Sequence, residues 1–255
     1  MSKKPVLLPR RRGISTNASY RIPKVYANPT ISLGCPNTSP TGKQIIGISL
    51  GMRCLSAELG VLRGLRGRKN GGYKTCPFDI MVSPYKGMIE CIQNDFQDFM
   101  NPEYLTIQTY SNELLIRHTK YKFIFNHESP GHSDLYLKQA WKNGKDHFVM
   151  DNYKLLIERY QARIENFRSY VNDPNVQIHF IIQRYNSPPV EIEKVLEMRY
   201  PNLDFKIAWM GTVEKDLEFK NVLRDNPGLS KDDPEITRFS QPIFSGSLSA
   251  RTYRY

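Results

Sequence analysis

Acidic residues are almost missing from the first 74 positions, where Glu58 stands alone against 14 lysines and arginines. The other 181 residues carry 22 basic and 24 acidic side chains, so the formal charge of +11 belongs to the N-terminal third. A block asymmetry of this kind points to an acidic or polyanionic partner for that part and says nothing about fold. Cysteine is scarce too. Cys35, Cys54, Cys76 and Cys91 are spaced by 19, 22 and 15 residues with no CxxC pair, which argues against a structural zinc site or a disulfide scaffold. No run approaches the ~20 apolar residues of a membrane helix. The opening MSKKPVLLPRRR lacks the apolar centre of a secretory leader. The expectation is a chain with no membrane span and no leader, its cysteines held as thiols in a reducing intracellular compartment.

Organised sequence begins late. Residues 1–43 carry six prolines among Ser, Thr and Asn and read as a basic extended arm. Residues 44–211 hold the periodic patterns, and 212–255 read as an extended C-terminal tail. Within the core, 45–50 is a short β-branched run bounded by Gly51, as a buried strand would be. Leu55, Leu59 and Leu62 then fall on one face of a helix. Phe78 to Val82 reads as a second strand, and Met88, Ile92, Phe96 and Phe99 mark an amphipathic helix. LTIQTY, ELLIRH and YKFIFN, from Leu105 to Asn126, resemble a small meander. A long helix over 152–171, a central strand at Val176–Gln183, a helix at Val190–Met198 and a last strand at Phe205–Met210 complete the expected α+β core.

The chemistry-bearing stretch is ISLGMRC, residues 48–54. A strand runs into Gly51, the chain turns, and a helix opens with Cys54 in its first turn, where unpaired N–H groups and the helix dipole favour a thiolate. A cysteine on an apolar helix is more often a small core residue, so the position alone does not make a nucleophile. A nucleophile needs a base. Among five histidines, His118 and His179 alternate with apolar residues inside strand patterns, and His147 lies in a polar stretch. His127 ends an apolar strand and opens the loop HESPGH, a position firmly held yet exposed. His132 is the reserve candidate. The pair also reads as metal ligands with Glu128 or Asp134, but HxxxxH on a loop is a weak zinc signal, and no metal or cofactor is expected.

The segments ISLGMRC, CPFDIMVSP and KFIFNHE resemble a family of papain-like cysteine peptidases of unknown function found in bacteria and large DNA viruses, whose members show S-L-G-x-x-C, PFD and F-x-H motifs. The resemblance covers about residues 45–210 and excludes both flanks. It implies a papain-like α+β fold, with a cysteine-bearing helix against a small, mostly antiparallel sheet. It also implies Cys54 as nucleophile and His127 as base. Asp79 in the PFD segment is the first choice to orient the imidazole, ahead of Glu128 and Asn126. Two positions depart from the family pattern: Ile80 replaces an aromatic residue, and Glu128 stands where aspartate is common.

The flanks suggest a second class of function. Long arms of this composition suit chains that order on contact with neighbours, so protein partners gripping both tails are expected. A non-catalytic minor capsid component of a large DNA virus, located in the virion, is a concrete version. A third reading is non-specific nucleic-acid binding. Lys3, Lys4, Arg10, Arg11 and Arg12 in residues 1–12, with Arg66, Arg68 and Lys69 in the loop 63–74, would meet phosphates or an acidic neighbour. No nucleic-acid fold signature accompanies them.

Overall fold

A computed structural model describes residues 38–110, 112–132, 141–183 and 191–210, together with the backbone of 243–245. In chain order, strand β1 (Gln44–Ser49) leads into helix α1 (Cys54–Leu62), a 3-10 turn at Pro77–Ile80 and helix α2 (Tyr85–Gln93). The hairpin of β2 (Leu105–Tyr110) and β3 (Glu113–His118) precedes a 3-10 turn at Asn126–Glu128 and the long helix α3 (Met150–Val171). Strand β4 (Val176–Ile182), helix α4 (Glu191–Arg199), β5 (Phe205–Trp209) and β6 (Ile243–Ser245) follow.

The expected mixture of helix and strand is present, but the strand directions are a correction. The four-stranded sheet has the order β1-β4-β5-β6, and its first three strands are parallel. Only β6 runs antiparallel, on β5. Parallel neighbours need crossover connections rather than tight turns, and here α4 lies between β4 and β5. Such strands are covered on both faces and read as continuous apolar runs; all seven residues of β4 are buried. The antiparallel pairing of β2 with β3 forms a separate two-stranded sheet.

Three local expectations change as well. Phe78–Val82 is not a strand: Pro77 opens a 3-10 turn, and the Asp79 carboxylate accepts the Cys76 N–H at 2.7 Å to close it. The third strand of the meander shrinks to Ile124, which bridges Val82 on one side and Arg117 on the other. Helix α2 stops at Gln93, and Phe96 and Phe99 are buried from the turns that follow, Phe96 with φ 60°. Residues 243–245, in the C-terminal stretch, form β6.

An aromatic cluster holds these parts together. Phe78 meets Phe96, Phe99 and Phe123, and Phe99 in turn meets Phe123, Phe125 and Tyr160, with ring centroids between 5.4 and 6.1 Å apart. The residues come from the Pro77–Ile80 turn, the segment after α2, the strand-like stretch before His127, and α3. Burying one such ring contributes about 1.5–3 kcal/mol, so this cluster fixes the candidate site from beneath.

Candidate active site

Cys54 sits at the carboxyl edge of β1 and β4, the edge at which open parallel sheets hold their ligands. Beyond β1 the Leu50 N–H still donates to the Ile181 carbonyl at 3.0 Å, and the Gln183 N–H donates to the Gly51 carbonyl at 3.3 Å. Gly51 has φ +99°, and a Cβ there would collide with the Ser83 hydroxyl, so the turn into α1 requires glycine. The Ser83 N–H donates to the Met52 carbonyl at 2.9 Å, pinning the turn to the Val82–Ser83 stretch. Arg53 is the N-cap of α1 and provides no side-chain cap. In that first turn the Ser56 N–H donates to the Arg53 carbonyl at 3.2 Å, and Cys54, which opens the helix, is half-buried. Cys76 and Cys91 differ in kind. Both are buried, and burial pushes both thiols up, with Asp79 and Glu90 respectively adding to the effect.

His127 reaches the same stretch from the other side. The Val82 N–H donates to the Ile124 carbonyl at 2.9 Å, and the Ile124 N–H returns a bond at 3.0 Å. Phe125 then buries its ring, and Asn126–Glu128 turn tightly, with the Ser129 hydroxyl donating to the Phe125 carbonyl at 2.6 Å and accepting the Ile116 N–H at 2.8 Å. The His127 ring is half-buried, its Nε2 enclosed with no hydrogen-bond partner, and the His132 ring lies 5.7 Å away. Burial lowers the His127 pKa. Glu128 opposes this, while His132, Arg163 and Arg159 lower it further. The imidazole is thus neutral at neutral pH, the form that accepts a proton.

Glu128 is entirely buried. Its Oε1 lies 3.0 Å from Arg159 Nε and 3.2 Å from an Arg163 guanidinium nitrogen, and its Oε2 accepts the Tyr160 hydroxyl at 3.2 Å. Those arginines occupy Glu128, one of the two carboxylates that a metal reading of His127 and His132 could use; the other, Asp134, lies outside the described residues. No group of three or more metal-ligating side chains occurs among the described residues.

Asp79 faces elsewhere. Its carboxylate accepts from Arg66 at 2.8 Å, the Tyr73 hydroxyl at 3.0 Å, the Cys76 N–H at 2.7 Å and the Ser49 N–H at 3.4 Å, and makes no hydrogen bond to His127. It staples the end of β1 to the loop after α1. Arg66 is correspondingly turned inward, its guanidinium 4.0 Å from the Tyr73 ring centre, and is not offered to a partner as expected. Arg68, Lys69 and Lys74 remain exposed. Lys3, Lys4, Arg10, Arg11 and Arg12 lie outside the described residues, as do Cys35 and Asp134. His118 is a satisfied core histidine: its Nδ1 accepts the Tyr121 N–H, and its Nε2 lies 3.0 Å from the Asp98 carbonyl.

The model of the family described as "Putative papain-like cysteine peptidase (DUF1796)" matches residues 46–213. The chain belongs to this family. No curated protein and no solved structure matches it significantly. The papain-like match takes in Cys54, the Pro77–Asp79 turn, His127 and the Glu128 cluster, and leaves out the basic arm and β6. Among the described residues, no helix of this papain-like chain is long and apolar enough to cross a membrane.

Proposed function

We propose that this papain-like chain is a cysteine hydrolase or acyl transferase with Cys54 as nucleophile and His127 as base. The observation that carries the reading is the Val82–Ser83 stretch, whose backbone bonds hold the Cys54 turn through Met52 and the His127 strand through Ile124. His127 takes the proton from the Cys54 sulfur, and the thiolate adds to an acyl carbon. The backbone N–H at the start of α1 helps hold the oxyanion. As the acyl–leaving group bond breaks, His127 returns the proton to the leaving group, and a thioester remains on Cys54. Water or a second nucleophile then cleaves that thioester. Peptide, amide and thioester substrates all fit this sequence.

The basic arm and the C-terminal flank fit docking on protein neighbours, so the enzyme would work within an assembly. A chain shortened to 38–245 should keep Cys54 reactivity and lose association. The decisive measurement is labelling with a thiol-directed epoxide at pH 7, read by peptide mass spectrometry. Cys54 should react at least tenfold faster than Cys76 and Cys91. Equal rates in the folded protein would refute the enzyme and favour a non-catalytic scaffold such as a minor capsid component.

A further inference from the structure

We propose that Glu128 is a positioning residue for His127: its carboxylate, clamped by Arg159, Arg163 and Tyr160, locks the Asn126–Glu128 turn onto α3 and so sets where the imidazole sits. The inference rests on the Cys54–His127 reading and deepens it. A 3-10 turn of three residues has little rigidity of its own. This one is tied to the long helix α3 by a carboxylate with no exposure that is ion-paired to Arg159 and Arg163 and accepts the Tyr160 hydroxyl, three side chains within about one helical turn. Tyr160 also packs its ring on Phe125, with centroids 4.8 Å apart, so the turn is gripped from both ends.

The charge balance gives the clamp a second consequence. Two arginines face one carboxylate, and one Arg163 guanidinium nitrogen, NH1, is buried with no hydrogen-bond partner. Burial disfavours the Arg163 charge, while Tyr160, Glu128 and, last, Asp79 favour it. Of the groups acting on His127, namely Glu128, His132, Arg163 and Arg159, Glu128 is the one that favours the protonated ring. Glu128 therefore holds the base in place and helps it keep the proton that the leaving group needs.

The test is the pH profile of Cys54 alkylation by iodoacetamide in the full chain, with melting curves to establish folding. His127→Ala should slow alkylation at neutral pH about tenfold or more. Glu128→Gln should move the acidic limb to lower pH and slow the reaction, and Glu128→Asp should restore both in part. Arg159→Gln should move the limb to higher pH, because it removes a positive charge; the Arg159 side chain is 39% exposed, so the change is tolerated and carries the test if Glu128→Gln does not fold. Limbs that move in the same direction, or an unmoved limb in Arg159→Gln while His127→Ala slows the reaction, would overturn the positioning role alone. A His127→Ala variant that labels like wild type overturns the Cys54–His127 pair and the role of Glu128 with it.

Discussion

Two buried carboxylates stand near the candidate site, and their partners divide the work between them. Asp79 collects one guanidinium, one phenol and two backbone N–H groups, so its loss would leave Arg66 buried beside Tyr73 without its counter-charge. Removing one member of a buried pair costs about 3–5 kcal/mol. Asp79→Asn should therefore lower the unfolding free energy measured in urea by an amount of that order, while the folded variant keeps the wild-type pH limb of Cys54 labelling. A displaced limb would return Asp79 to the orienting role that the sequence first suggested. The hydrogen bonds of Asp79 go elsewhere for a simple reason. Sequence places Asp79 three residues from Cys76 and far from everything else, and gives no sign that Arg66 and Tyr73 fold back onto it. Glu128 ranks behind Asp79 in sequence for a different reason: Arg159, Tyr160 and Arg163, its partners in the fold, lie more than 30 residues downstream.

At the level of elements, the strands buried on both faces were legible because apolar β-branched runs leave few alternatives; β1, β4 and β5 fall where those runs predict. Direction was not legible, since the partner of β1 begins at Val176 and no local pattern records a pairing across such a distance. Pro77–Ile80 was misread because Phe78, Ile80 and Val82 alternate like a strand, although a proline at the first position suits a 3-10 turn better. The start of α1 carries the clearest trade between stability and chemistry. Arg53 leaves the helix uncapped, and Arg53→Asp would supply a cap worth roughly 0.5–2 kcal/mol. The same change puts a negative charge beside Cys54 and removes a positive one. The variant should melt higher and label several-fold more slowly at pH 7. Faster labelling would mean that the open helix end does not favour the thiolate.

Across the whole molecule, histidines on four separate elements share one tendency. His118, His127, His147 and His179 all have their pKa lowered, with burial the leading cause in each, and His179 is brought down to about 4. The unfolded chain binds protons on these rings near pH 6.5, while the folded chain does not. The unfolded state therefore holds more protons below that pH, and stability must fall as the pH drops. It should be level above about pH 7, then decline from 6.5 toward 4, with His179 alone accounting for roughly 3 kcal/mol across that window. His118 has a further reason to stay neutral beside its burial: a proton on Nδ1 would displace the Tyr121 N–H that this atom accepts. Urea unfolding at pH 7.5, 6, 5 and 4.5 measures the slope, and His179→Gln should flatten it. A midpoint independent of pH between 7.5 and 5 would mean that these rings are no harder to protonate in the folded chain than in the unfolded one. His127 would then be no more reluctant to carry a proton than any exposed histidine, and the neutral base assigned to Cys54 would lose its physical cause.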